Sequence, residues 1–173
     1  SPHVYELNNI DNGLEIRAFL LDKQRQLWVG SKRGIVRIYH ADGTLKGYLT
    51  PQGTITPQET KFSRSVYCFL EDKEGNIWLG TKKDGLLLLK KKNDQSYSVQ
   101  QYLHDPDDAY SLSDNSIYSI FQDSHGRIWL GSYGKGINLI SRNEDNKIQF
   151  IHCGNQLKNY PVNSSLKIRY IRP

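Results

Sequence analysis

The sequence has no methionine, not even at position 1, and only two cysteines in 173 residues. The first absence reads as an excised fragment or a processed chain. The second excludes a disulfide framework and a cysteine-rich zinc site. Cys68 lies in the apolar run Val66-Tyr67-Cys68-Phe69-Leu70 and reads as a small buried hydrophobe. Cysteine usage leaves the redox compartment open. No apolar run approaches the roughly 20 residues that span a bilayer. Ser1-Pro2-His3-Val4 does not begin a signal peptide, since no basic segment leads into an apolar one. In a fragment, that absence does not place the parent protein in any compartment. Helical periodicity is missing too. The five histidines, at 3, 40, 104, 125 and 152, have no metal-ligand spacing, so neither a metal nor a cofactor is expected.

Charge of one sign is in modest excess, at +5. No basic stripe with interleaved aromatics accompanies it, so a nucleic-acid partner is not expected. Lys90-Lys91-Lys92 reads as a solubilising strand end. Gly131-Ser132-Tyr133-Gly134-Lys135-Gly136 is glycine-rich but lacks phosphate-loop spacing and a following helix. Asp72-Lys73-Glu74-Gly75-Asn76 lacks the ligand pattern and closing glutamate of a calcium loop. His104 beside Asp105, Asp107 and Asp108 is the best acid/base cluster, and it reads as a solvated loop.

What is present is a repeat. Trp28, Trp78 and Trp129 are 50 and 51 residues apart, each six residues after an aspartate: Asp22, Asp72 and Asp123. Each tryptophan precedes Val-Gly or Leu-Gly, which places Gly30, Gly80 and Gly131 in register. A fourth copy begins at Ile168-Arg169-Tyr170-Ile171. Each unit reads as four short strands, rich in β-branched and aromatic residues and bounded by Gly, Asp and Asn. The Asp-x-x-Gly segments read as hairpin turns with glycine at the φ > 0 position. The first copy has Arg25 there, which predicts a strained or differently shaped turn. Leu86-Leu87-Leu88-Leu89 is apolar on both sides, and blade-on-blade stacking buries both faces of such a strand. The expected fold is all-β, a β-propeller fragment of about three and a half four-stranded blades. A β-solenoid is the competing architecture, though its coils are usually shorter. The blade repeats run over 14–64, 65–115 and 116–166, with a fourth begun at 167–173. Residues 1–13 are the last strand of a preceding blade, centred on Val4 to Leu7.

The frame Ile-x-x-Ile/Phe-x-x-Asp-x-x-Gly-x-Ile-Trp-Leu-Gly-Ser/Thr followed by Gly-Ile/Leu resembles the two-component regulator propeller repeat. The linker from Tyr102 to Ile117 is similar to that family's inter-blade segment. The resemblance implies a parent of the hybrid two-component histidine kinase type, typical of gut Bacteroides. Its propellers are periplasmic, a transmembrane helix and kinase core follow, and the ligands are typically oligosaccharides. Contact with the membrane comes only through the parent chain.

Up-and-down connectivity sends the Asp-x-x-Gly turns to one rim. The turns between the second and third strands share the other rim with the long linkers at roughly 50–65, 104–116 and 153–167. Long polar loops on a rigid scaffold are where binding concentrates. The candidate ligand residues are therefore Lys32, Arg33, Lys82, Lys83, Tyr133 and Lys135: cations for a carboxylated or sulfated sugar, and a ring for stacking. Ordinary turn chemistry explains any one of them as well. No catalytic set is visible, so the fragment is expected to bind rather than catalyse. A propeller lyase or other carbohydrate-active enzyme and a protein-interaction scaffold are the alternatives. Two raw blade faces would leave a large apolar patch, so self-association, most simply a homodimer, is expected.

Overall fold

The computed structural model describes residues 15–158. The expected strand at Val4 to Leu7 and the start of a fourth repeat at Ile168 lie outside the described residues. Within them the fold is a β-propeller segment of three antiparallel sheets. The first blade contains β1 (Ile16–Leu21), β2 (Leu27–Ser31), β3 (Val36–Tyr39), β4 (Leu45–Leu49) and β5 (Ile55–Thr56). The second contains β6 (Val66–Glu71), β7 (Ile77–Thr81), β8 (Leu86–Asn93) and β9 (Ser96–Tyr102). The third contains β10 (Ile117–Gln122), β11 (Ile128–Ser132), β12 (Ile137–Arg142) and β13 (Ile148–Ile151). Strands are neighbours in chain order throughout. The short β5 is a difference from the four-strand expectation. Part of the 50–65 linker pairs with β4 through Tyr48↔Thr56 and Leu49↔Ile55.

The first strands of the blades, β1, β6 and β10, lie side by side. The cores sit between blades. Leu87 and Leu89 pack with Trp28, Val36 and Ile38 of blade 1. Leu86 and Leu88 pack with Leu112, Ile117 and Leu130 of blade 3. Strand alternation thus explains the unbroken leucine run: each leucine belongs to one of two interfaces. Trp28 is fully buried, meets Tyr97 edge-on at 5.4 Å and approaches Phe69 at 6.1 Å. Burying one such ring contributes roughly 4–6 kcal/mol before conformational entropy is counted. The glycine two residues after each tryptophan lets the blades close. A methyl on Gly30 would strike Val66, and one on Gly80 would strike Cys68 and the Ile117 carbonyl. Gly131 holds the same register, opposite Ser119 and Ile137.

The three Asp turns share one shape. The residue three after the aspartate returns its amide to the aspartate carbonyl at 2.9–3.0 Å in all of them. Gly75 (φ 86°) and Gly126 (φ 79°) adopt the left-handed region freely. Arg25 adopts it at φ 64°. The first turn is therefore strained rather than differently shaped.

Candidate ligand-binding site

The meander alternates strand direction, so the two rims differ in what lines them. The first rim is tied together by structural bonds around a pocket of about 430 Å³ between the Asp72 and Asp123 turns. Each aspartate accepts the indole N–H of the tryptophan six residues on: Asp22–Trp28 at 3.0 Å, Asp72–Trp78 at 2.9 Å, Asp123–Trp129 at 3.0 Å. The indole bond, then the Arg127 guanidinium, hold the Asp123 carboxyl well below the usual carboxylate range. Neighbouring turns are stitched together. The Lys23 amide donates to Glu71 (2.9 Å), and its ammonium donates to the carbonyls of Asp72 and Lys73. Lys73 repeats the pattern on Gln122 and Ser124.

The second rim is built differently. The first residue of each β2–β3 type turn donates its amide to the segment entering the same blade: Lys32 to Glu15, Lys82 to Ser65, Tyr133 to Ser116. Next to each anchor the inner strand carries a bulge, where the register shifts at Arg17, Tyr67 and Tyr118. Bulges re-aim a side chain, and here they do so at the same place in three blades. Tyr67 and Tyr118 have ring centroids 4.2 Å apart, and Tyr133 meets Tyr118 edge-on at 5.1 Å. At the blade 1 end the same positions hold charge: Arg17 and Lys32 both reach Glu15, at 3.7 and 3.2 Å.

Further out, a cleft of about 490 Å³ opens between blades 2 and 3. The 104–116 linker supplies His104, Ser113, Asp114 and Asn115; Lys135 and the 152–154 segment complete it. The linker is held in place, since Asp105 and Ser111 bond each other and Tyr110 receives the Phe150 amide. His104 Nδ1 lies 2.8 Å from the Leu112 carbonyl. A carbonyl only accepts, so that nitrogen carries the proton and Nε2 is left as an acceptor. His152 is the opposite tautomer: Nδ1 accepts from the Gly154 amide, and Nε2–H donates to the Ser111 carbonyl. Burial, with the nearby His104, outweighs that bond and holds His152 below the usual histidine value. Asp114 spends one oxygen on Ser116, and Asn115 spends its oxygen on the His104 amide. The cleft therefore presents donors from Lys135 and Asn115 beside acceptors on Asp114 and His104. A hydroxyl that both donates and accepts matches such a wall.

The six sequence candidates do not form one site. Lys135 is in the cleft, and Tyr133 joins the tyrosine row. Lys32 meets Arg17 at Glu15. Lys82 and Lys83 are exposed between them, with Lys83 in a left-handed conformation at φ 67° and its amide bonded to Ser116. Arg33 lines a separate pocket at the edge of blade 1. Sequence reasoning missed Tyr67 and Tyr118, although both stand one residue after the apolar start of an inner strand.

A family model for the two-component regulator propeller matches residues 61–83 and 111–134. The chain carries two-component regulator propeller repeats. The propeller is similar to the extracellular domain of BT4673 from B. thetaiotaomicron. That domain is described as part of a one component system in one solved structure and of a hybrid two component system in another. Identity to the first is 25%, the TM-score is 0.59, and the match covers 80% of this chain and 17% of that one. The chain is also 30% identical over 118 residues to histidine kinase P4 of Formosa agariphila, covering 66% of this chain. It spans only 8% of that kinase's length. A virginiamycin B lyase from Staphylococcus aureus shares the fold, with a TM-score of 0.57 at 18% identity over 89% of this chain and 45% of that one.

Proposed function

We propose that this propeller segment is the ligand-reading part of an extracytoplasmic sensor in a hybrid two-component receptor, and that it takes an oligosaccharide on the second rim. One observation carries the reading: the polar cleft at Lys135 and the Tyr67–Tyr118–Tyr133 row lie on the same rim, opposite the rim that carries the Asp–Trp turns. Tyr133 and Lys135 belong to one turn, so a ligand of two or more sugar units reaches both. Rings stack on aromatic faces while hydroxyls pair along the cleft wall. Binding favours one packing of propellers across a receptor dimer, and that preference biases the kinase beyond the membrane. The parent crosses the membrane, with the propeller on its periplasmic side. The reading is one of binding and includes no catalytic step.

The parent reading frame beyond Pro173 tests the receptor assignment. A transmembrane segment followed by a kinase core is expected. A stop codon with no membrane span would overturn it and return the lyase reading.

A further inference from the structure

The cleft at Lys135 has a counterpart one blade earlier. A cleft of about 630 Å³ opens between blades 1 and 2 on the same rim. Strand register shows that the same repeat positions wall both. Thr81 and Ser132 pair with Val66 and Ile117. Three residues after Thr81 and Ser132 stand Asp84 and Lys135; three before Val66 and Ile117 stand Ser63 and Asp114. Phe62 and Ser113 precede these. Leu88 pairs with Gln100 and Leu139 with Ile151, so Gln101 matches His152. Arg37 and Leu87 hold one register position, opposite Val29 and Leu79. They pair with Tyr48 and Gln101, which puts Pro51 in the place of His104. Each of these wall residues lines its own cleft.

The positions repeat, but the chemistry changes. Pro51, Ser63 and Gln101 stand where the later cleft has His104, Asp114 and His152, so three titratable groups give way to neutral ones. Asp84 replaces Lys135, and Arg64 offsets it: the Arg64 amide donates to Oδ2 at 2.8 Å, and Nε lies 3.8 Å from Oδ1. No cation is among the walls. Gln101 donates from Nε2 to the Asp84 carbonyl, which leaves Oε1 to accept. Ser63 is buried, and its hydroxyl has no partner among the described residues. Gln52 is exposed and brings an amide that both donates and accepts. Pro51, Phe62, Leu87 and Val99 make the rest of the wall apolar. A sugar ring is the complement of such a wall, with hydroxyls that donate and accept around apolar C–H faces.

The cleft is also held in shape. The Tyr97 amide donates to the Gly53 carbonyl at 2.8 Å and the Ile55 amide to the Gln95 carbonyl at 2.9 Å. At the other end of the linker, the Phe62 and Ser63 amides donate to the Gly34 carbonyl at 2.8 and 3.2 Å. Walls fixed in advance lose little freedom on binding.

We propose that the cleft between blades 1 and 2 is a second saccharide subsite, built for a neutral sugar unit. The proposal rests on the reading of the second rim as a saccharide sensor and extends it from one blade junction to two.

Amide chemical shifts of the 15N-labelled 173-residue chain, titrated with glucose, galactose, xylose and sodium glucuronate, test it. A neutral sugar is expected to shift Ser63, Asp84 and Gln101, and glucuronate is expected to bind there no more tightly than glucose. Gln52→Ala with Gln101→Ala, both on the surface, is expected to weaken binding at this cleft by roughly 3- to 10-fold, the range of one lost neutral hydrogen bond, and to leave the Lys135 cleft unaffected. Ser63→Ala removes a buried hydroxyl that has no partner, so it is expected to weaken binding without lowering Tm. Lys135→Ala is expected to weaken only the later cleft. Shifts at the Lys135 cleft alone overturn the second subsite and leave the sensor reading standing. Shifts at Ser63, Asp84 and Gln101 that keep full affinity in both variants overturn it as well, and tighter binding of glucuronate there overturns its neutral character. Shifts confined to the cleft between blades 1 and 2 uphold the subsite and overturn the assignment at Lys135. No shift with any of the four sugars overturns both.

Discussion

Replacing Asp72 by alanine removes a carboxylate that organises a whole turn. The carboxylate accepts from the Glu74 amide (3.0 Å), the Asn76 amide (2.8 Å), the Asn76 side chain (3.2 Å) and the Trp78 indole (2.9 Å). The two amides lie in a surface turn and can turn to water. The indole cannot, because Trp78 is 4% exposed between two blades. An unsatisfied buried N–H costs about 1–3 kcal/mol, and the lost charge-assisted bonds to the turn add about 1 kcal/mol. The expected loss is therefore about 3 kcal/mol, which lowers Tm by roughly 6–12 °C in a chain of this size. Far-UV circular dichroism measures it without relying on the tryptophan. Trp78→Phe supplies the other corner of a double-mutant cycle, and the coupling energy should be at least about 1 kcal/mol. A Tm drop under about 2 °C, or an additive cycle, would refute the reasoning. Asp123→Ala should cost less than Asp72→Ala, because Trp129 is only half-buried.

Arg25→Gly should raise stability by about 1 kcal/mol, since glycine occupies the left-handed position in the other two turns; a urea midpoint measures it. Only one thiol per native chain should react with a maleimide. Burial pushes the Cys68 thiol up to about 12, with Sγ turned toward the Ile117 carbonyl, whereas Cys153 is exposed. Two fast-reacting thiols would contradict that packing. Burial lowers the folded-state value of His152, so the unfolded chain binds the proton more readily. Stability should then be full above the ordinary histidine value of about 6.5 and fall as pH drops below it. His152→Gln should flatten that slope in a pH series of unfolding curves. Phe19 and Leu21 are 62% and 66% exposed on the face of blade 1 where Phe69 packs in blade 2. Self-association through that face should appear in light scattering and weaken in Phe19→Glu; a monomer at all concentrations would contradict it.

The tryptophan spacing and the strand-like composition around it made the propeller legible, because a repeat every 50 residues leaves few architectures. The six-residue step from aspartate to tryptophan was equally visible. Its chemistry was not, since a carboxylate reaching an indole across a hairpin depends on where the turn folds back. The bulges at Arg17, Tyr67 and Tyr118 are properties of register between two strands, which no single strand records. The tyrosine row consequently went unread except for Tyr133. β5 escaped because Ile55-Thr56 is too short to stand out from a linker. The candidate rim followed from connectivity alone, but its division into a cleft and a tyrosine row needed three dimensions.

Hydrogen exchange of the chain with and without a panel of neutral and acidic oligosaccharides tests the central claim most directly. Protection is predicted in the 104–116 linker and the turn from Tyr133 to Gly136, with the Asp72 and Asp123 turns unchanged. Protection confined to the Asp–Trp rim, or none with any saccharide, would contradict the assignment of the second rim as the surface that reads the ligand.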